Sequence, residues 1–241
     1  MLHALISDIH GNIDALETVL ADIAKRNVAS MVCLGDFVGY GAAPNECIVR
    51  VRGLIEAAVA GNHDMAACGR IKLGYFNDDA AKAARWTIET LTPEHHEYLR
   101  ALPMSVAWRG VRLVHSSPVE PEAWHYVLSP GDAAFEMESV EERVCFIGHS
   151  HYPGTFVLDG EFVTYTRDPK VACMPDRRYL VNVASVGQPR DGDPRAGYLL
   201  WDDERFSIEH VRLEYDVAAA MKRIRDAGLP PFLANRLQWG E

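Results

Sequence analysis

Three times in the first 64 residues, a short apolar run ends in a polar cluster and is followed by a helical pattern. The runs Leu2–Ser7, Met31–Leu34 and Leu54–Ala60 are typical of strands, and the last has the length of a buried strand. Strand, loop and helix in succession favour parallel strands with right-handed crossovers. The carboxyl ends of parallel strands lie at one edge of a sheet, so we expect the three polar clusters to converge there.

The three clusters carry side chains that bind metals or transfer protons. The first strand leads into Asp8–His10, the second into Gly35–Asp36 and the third into Gly61–Asp64. If the backbone stays extended, Asp8 and His10 project to the same side because they are two positions apart. The third cluster combines a carboxamide, an imidazole and a carboxylate behind one glycine, although Gly-Asn is also an ordinary turn signal.

Later strand ends add three histidines. The run Val111–Val114 is followed by His115, and the run Val144–Ile147 by His149 and His151. Together the strand ends supply seven oxygen or nitrogen donors, namely Asp8, His10, Asp36, Asn62, His115, His149 and His151. Seven donors suffice for two metals if one carboxylate bridges, and mixed imidazole and carboxylate ligation suits manganese, iron or zinc better than calcium.

The second half of the chain predicts a second sheet. Phe156–Leu158 and Glu161–Val163 flank Asp159-Gly160, a strong hairpin signal. Further strands are predicted over Tyr179–Ala184, Gly197–Trp201 and Arg205–Leu213. The order of elements therefore predicts two sheets packed between helical layers.

Composition limits the class of protein. The chain has 241 residues, 48% apolar and 24% charged, which predicts one globular domain over residues 1–241. No apolar run approaches the length of a membrane span and the start lacks a basic secretory region, so we expect a cytoplasmic protein without a membrane partner. Five dispersed cysteines indicate neither a disulfide framework nor a thiolate zinc site. The oligomeric state is not predicted.

Charge limits the partners. A formal net charge of −10 disfavours a large nucleic-acid surface, which needs a basic stripe to neutralise phosphates. Small anionic substrates remain compatible with this charge where local cations offset it.

The polar clusters, in this order, resemble the calcineurin-like metallophosphoesterase family over nearly the whole chain. The matching motifs are Asp8-x-His10, Gly35-Asp36, Gly61-Asn62-His63-Asp64, His115 and Gly148-His149-x-His151. The resemblance implies an α/β fold, a four-layer αββα sandwich of two mixed β-sheets flanked by helices, with a dinuclear metal site at the strand ends.

The resemblance also implies a role for each donor. One metal would take Asp8, His10 and His151, the other Asn62, His115 and His149, and Asp36 would bridge them. The cofactors would be two divalent or trivalent ions, with manganese, iron or zinc the best match. A hydroxide bridging the ions would attack the phosphorus, and His63 would stabilise the transition state or protonate the leaving oxygen, which needs a pKa near the working pH. Asp64 would orient a neighbouring group or simply cap a helix.

Two loops depart from the protein phosphatase branch of that family. Gly39 and Tyr40 stand where that branch has Asp and Arg, so a bidentate phosphate clamp and a partner for His63 are missing. The loops Gly35–Gly41 and Ser185–Asp191 instead resemble small prokaryotic-type phosphodiesterases.

The small prokaryotic-type phosphodiesterases commonly have Asn-Pro-Gly-Ser where this chain has Asn182–Ser185. Arg190 or Tyr40 is expected to contact the substrate phosphate or base, although both could equally be surface residues. His125 would either cover the cleft or belong to an exposed aromatic loop.

The functional expectation is a metal-dependent hydrolase of small phosphodiesters or nucleotides, such as cyclic nucleotides. The alternatives are a dinucleoside polyphosphate hydrolase or a phosphomonoesterase and, outside enzymes, a binding scaffold on the same fold. A scaffold of this kind would lose ligands and the catalytic histidine, whereas the seven donors and His63 are all present here.

Overall fold

The computed structural model describes residues 1–241 and contains twelve strands and eight α-helices. The strands are β1 (Leu2–Ile6), β2 (Ser30–Cys33), β3 (Ile55–Ala58), β4 (Ser105–Trp108), β5 (Val111–Val114), β6 (Val144–Ile147), β7 (Gly154–Asp159), β8 (Phe162–Thr166), β9 (Lys170–Ala172), β10 (Arg178–Asn182), β11 (Ala196–Asp202) and β12 (Ser207–Leu213). The helices are α1 (Ile13–Ile23), α2 (Pro44–Arg52), α3 (Asn62–Ala67), α4 (Asp78–Thr90), α5 (Pro93–Arg100), α6 (Pro130–Glu138), α7 (Val217–Asp226) and α8 (Pro231–Asn235).

The strands form two mixed sheets of six strands each. In the first sheet the order is β3-β2-β1-β11-β12-β9, and β1, β2 and β3 are parallel. In the second sheet the order is β4-β5-β6-β10-β7-β8, and β5, β6 and β10 are parallel. The predicted parallel arrangement of the first three strands is therefore confirmed.

The two sheets pack face to face and are covered by helices on their outer faces. Because side chains alternate along a strand, Leu5 of β1 faces the second sheet, whereas Ala4 and Ile6 face α1 and α2. The outer face of the second sheet packs on α6 through Ala133 and Met137. These layers form a four-layer αββα sandwich, which confirms the predicted fold class.

The third strand differs from its prediction. β3 is shorter than the apolar run and lies at the edge of the first sheet, where Leu54 is 53% exposed and Glu56 pairs with Arg109. The prediction of a buried strand was wrong because an apolar run of this length does not reveal whether its strand has one neighbour or two.

The hairpin of β7 and β8 is confirmed with a turn shifted by one residue. Asp159 pairs with Phe162, so the turn consists of Gly160 and Glu161. Gly160 has a φ of 61°, the conformation that glycine adopts most readily at this position of a two-residue turn. The short strand β9 and helix α8 were not predicted. No helix combines the length and the apolar character that crossing a membrane requires.

Candidate metal centre

The segments that follow β1, β2, β3, β5 and β6 meet at one end of the sandwich. They place three groups of buried side chains so that the ligand atoms of each group lie within 4.8 Å of one another. The groups are Asp8 with His10 and His151, Asp36 with His115 and His149, and His10 with Asp36 and His63. The first group has the same three residues as one implied ligand set, the second combines Asp36 with the two histidines of the other set without Asn62, and Asp36 belongs to two of the groups. We call the donors Asp8, His10, Asp36, Asn62, His115, His149 and His151 the metal centre.

Left-handed backbone, and not an extended strand, directs five of these seven side chains. The φ angles are 54° at Asp8, 50° at His10, 52° at Asp36, 65° at His149 and 62° at His151. The expectation that Asp8 and His10 project from an extended strand was wrong, since β1 ends at Ile6. Such conformations are unfavourable by about 1–2 kcal/mol per residue, and hydrogen bonds such as the 2.9 Å bond from the His10 N–H to the Asp36 carbonyl maintain them.

Each of the four histidines in the metal centre is oriented by a backbone carbonyl. The pairs are His10 Nδ1 with Val38 O at 3.1 Å, His115 Nδ1 with Leu34 O at 2.6 Å, His151 Nδ1 with Gln188 O, and His149 Nε2 with Trp124 O at 2.9 Å. A carbonyl accepts only from an N–H, so the second nitrogen of each neutral ring has a free lone pair. This is the arrangement that metal-binding imidazoles require.

Two of these free nitrogens face each other. The Nε2 atoms of His10 and His151 are 3.1 Å apart. When both rings donate through Nδ1, neither neutral ring has a proton to share across this contact. Two nitrogens bound at right angles to one ion at about 2.1 Å would be separated by about 3 Å. The spacing therefore fits a shared cation.

The two carboxylates are buried without a Lys or Arg partner. The only basic side chains within 4.0 Å of them are histidines. Asp8 Oδ1 lies 3.2 Å from His151 Nε2, and Asp36 Oδ2 lies 3.3 Å from His115 Nε2. Although burial opposes ionisation, the surrounding histidines, His115 among them, lower the pKa of both Asp8 and Asp36. Two buried negative charges require nearby positive charge, which bound metal ions would provide.

The histidines differ in charge. Burial lowers the pKa of His10 and His151, and it lowers that of His149 to about 3, so these rings are neutral at pH 7. At His115 the carboxylates of Asp36 and Asp8 outweigh burial and raise the pKa to about 9. A metal ion at this position would replace the proton on His115.

The segment Gly61–Asp64 supplies one candidate metal ligand, Asn62, and one carboxylate that supports the site, Asp64. Asn62 is the first residue of α3, and its Oδ1 is buried without a hydrogen-bond partner, which fits a metal ligand. The carboxylate of Asp64 accepts from the backbone N–H of Gly61 at 3.0 Å and of Asp36 at 2.7 Å. It also accepts from Phe37 at 2.9 Å. Asp64 therefore caps α3 and also holds the Asp36 loop, so both interpretations of this residue apply.

His63 differs from the four histidines of the metal centre. Its Nδ1 is buried without a partner, and its ring packs against Tyr40 at 4.3 Å and Phe76 at 4.9 Å between ring centroids. Gly39, at the position of the missing Asp, lies directly against this ring. Burial lowers the pKa of His63 to about 4, so the imidazole is neutral at pH 7, not poised near the working pH as expected.

A cleft of about 720 Å³ opens beside the metal centre and contains both predicted substrate contacts. Arg190 donates to Tyr40 Oη at 3.2 Å and to Gln188 Oε1 at 3.1 Å and has no acidic partner within 4.0 Å. Tyr40 is only 8% exposed and forms a wall of the cleft.

Most of the cleft residues outside the metal centre were not predicted from the sequence. Residues 69–77 contribute Arg70, Lys72 and Tyr75, but no motif marks this segment. Trp124 and Tyr126 line the opposite side, whereas the side chain of His125 is 60% exposed and does not line the cleft. The nearest available signal was the aromatic pair on either side of His125.

The loop after β10 supports the metal centre. Ser185 Oγ donates to the Asp8 carbonyl at 2.9 Å, and the Gln188 carbonyl orients His151. Ala184, which stands where the prokaryotic-type pattern has glycine, adopts a φ of 88°. Its Cβ lies against Gly197, where a second Cβ would collide with it.

Comparisons with known proteins agree with this geometry. The model of the calcineurin-like phosphoesterase superfamily domain matches residues 1–205. An uncharacterized protein of Methanocaldococcus jannaschii is 40% identical over 241 residues, which cover 98% of this chain and 97% of that protein.

Two solved structures are similar over the whole chain. A metallophosphoesterase from Sphaerobacter thermophilus is 36% identical with a TM-score of 0.89, and the match covers 100% of this chain and 99% of that one. A hypothetical protein from Pyrococcus horikoshii shares the fold at 22% identity with a TM-score of 0.82, covering 100% and 98% of the two chains. The extent of the family match and the donor set lead to one conclusion: the chain belongs to the calcineurin-like phosphoesterase superfamily.

Proposed function

We propose that this protein is a dinuclear metal-dependent hydrolase of small phosphodiesters or nucleotides, cyclic nucleotides among them. One observation carries the proposal: two charged, buried carboxylates and the lone pairs of oriented imidazoles converge beside an open cleft. Two bound cations would supply the acidity that makes water a nucleophile at neutral pH and the charge that offsets the phosphoryl oxygens. Manganese, iron and zinc match the donor set.

His63 is the proposed catalytic residue that does not bind metal. It borders the cleft and lacks the carbonyl partner that orients the other four imidazoles. Because burial keeps the ring neutral, we assign it to stabilising the transition state by a hydrogen bond in preference to carrying a full positive charge.

Arg190 and Tyr40 are the proposed substrate contacts. Tyr40 stands at the position where the protein phosphatase pattern has its Arg. Arg190 supplies a guanidinium beside Tyr40 from a different loop. An arginine without an acidic partner can bind a phosphoryl group through charged N–H donors. Kinetics of Arg190→Ala and Tyr40→Phe test this assignment, with a loss of kcat/KM expected for both. An unchanged kcat/KM for every phosphoester tried would contradict it.

Hydrolysis of bis-p-nitrophenyl phosphate by the purified, metal-supplemented protein tests the proposed activity. We expect turnover with at least one of manganese, iron, zinc, cobalt and nickel. No turnover with any of them would favour the binding scaffold. A panel of natural nucleotides then separates diesters from the alternative substrates, dinucleoside polyphosphates and phosphomonoesters.

A further inference from the structure

Residues 69–77, between α3 and α4, form one wall of the cleft, and we call them the recognition loop. Tyr75 is 84% exposed and lines the cleft. An aromatic ring at the mouth of a cavity presents a flat apolar face at a point that a ligand can reach. Phe76, the next residue, contacts the ring of His63, so the recognition loop adjoins the proposed catalytic residue.

The cleft is locally positive although the chain is acidic. Arg70 and Lys72 of the recognition loop and Arg190 opposite have no acidic partner within 4.0 Å. Arg52 on α2, by contrast, pairs with Glu94. Apart from Asp36, Glu122 is the one acidic residue that lines the cleft. Unpaired cations in a concave site raise the local concentration of anionic ligands.

The opposite wall is attached to the metal centre. Tyr126 stacks on His149 at 4.2 Å between centroids with an interplanar angle of 14°, and the Trp124 carbonyl accepts from the same imidazole. The lining of the cleft thus includes residues of the metal centre, the aromatic residues attached to it and the recognition loop with Tyr75. Its volume of about 720 Å³ falls within the range of sites for drug-sized ligands and exceeds what one phosphate needs.

We propose that the recognition loop binds the nucleoside part of a nucleotide, with the base stacked on Tyr75 and the phosphate at the metal centre. The inference rests on the proposed function and narrows its substrate class. A nucleotide combines the two properties that the cleft selects, a flat aromatic group and negative charge. Base stacking on one aromatic side chain is expected to strengthen binding about tenfold, which corresponds to about 1.4 kcal/mol.

Binding of AMP and of ribose 5-phosphate to the full-length, manganese-loaded protein tests the inference by isothermal titration calorimetry. The two ligands share the phosphate and the sugar and differ in the base. We expect AMP to bind about tenfold more tightly. Tyr75→Ala should abolish this preference without changing the Kd of ribose 5-phosphate, and Tyr75→Phe should retain it. Phe162→Ala, which removes an aromatic ring that is 77% exposed outside the cleft, is the matched control and should change neither Kd.

Equal Kd values for AMP and ribose 5-phosphate in the unmodified protein would overturn the inference. So would an AMP affinity that survives Tyr75→Ala, or an absence of AMP binding. The outcome is separable from that of the proposed function. A preference for AMP without turnover of bis-p-nitrophenyl phosphate would support base binding by the recognition loop and refute the hydrolase. Turnover without a preference for AMP would support the hydrolase and refute base binding by the recognition loop.

Discussion

The metal centre and the recognition loop both contribute to the lining of one cleft, but they are built in opposite ways. The carboxylates and imidazoles of the metal centre are buried, and the backbone orients each of the four rings. Arg70, Lys72 and Tyr75 of the recognition loop are exposed and have no side-chain partners within the chain. A site for chemistry needs preorganised groups, whereas a surface loop can vary in sequence without disturbing them.

Asp36→Asn should have the largest effect, because it removes the carboxylate that we propose bridges the two metals and that belongs to two of the three ligand groups. We expect metal content to fall to one ion or none and kcat/KM for bis-p-nitrophenyl phosphate to fall about 10³-fold or more. Elemental analysis of the purified protein with steady-state kinetics measures both. Asp168→Asn, a change at an exposed carboxylate, is the control. Two bound metals in Asp36→Asn would remove Asp36 from the metal centre.

His63→Ala should separate chemistry from metal binding. We expect both metals to remain bound while kcat falls about 10²-fold or more, since a transition-state hydrogen bond is lost. Asn62→Ala, one residue away, should instead weaken the occupancy of one metal. Metal loss in His63→Ala would show that His63 is a ligand, which its position in a third ligand group with His10 and Asp36 makes a concrete alternative.

A pair of glycine substitutions compares the packing of the two regions. A Cβ on Gly61 would overlap the Asp36 carboxylate, whereas a Cβ on Gly74 in the recognition loop meets no atom within 4 Å. Overpacking at Gly61→Ala should destabilise the fold by about 1–3 kcal/mol and lower Tm by several degrees. Gly74→Ala should leave Tm nearly unchanged. Thermal unfolding of both variants measures the two changes in Tm. Equal changes would mean that the two regions are packed alike.

The double substitution Arg70→Ala with Lys72→Ala should change binding and not chemistry. We expect KM for an anionic diester to rise about fivefold at low salt with kcat unchanged, and the dependence of KM on salt to weaken. Lys82→Ala, on the exposed face of α4, is the control for a change in overall charge. A fall in kcat with unchanged KM would place the recognition loop in the chemistry.

Ala184→Gly should have the smallest effect and the opposite sign. The φ of 88° is unfavourable for alanine, so glycine should stabilise the fold by up to about 1 kcal/mol, provided that the loss of the buried methyl does not offset the gain. An increase in Tm of a few degrees with unchanged kinetics would support stored strain in the loop that holds the metal centre. A decrease in Tm would show that the contact of Ala184 with Gly197 matters more.

The convergence of the candidate donors was predictable from sequence because these residues follow recognisable strands. Asp8, Asp36 and His115 each stand within two residues of the end of an apolar run, and a parallel sheet brings such strand ends together. The cleft wall was not predictable in this way. Tyr75 and Arg70 lie in an irregular segment without periodicity, and their use depends on where the chain passes after α3.

The sequence by itself determined the layered fold and which strand-end side chains are candidate metal ligands, because hydrophobic periodicity and strand-end polarity are local properties of the chain. Tertiary structure decided which nitrogen of each histidine is free, since that depends on carbonyls such as Val38 and Trp124 in distant loops. It also decided the charge of His63 and His115. Both rings are buried, but His115 lies against carboxylates that offset the cost of its charge, whereas burial dominates at His63.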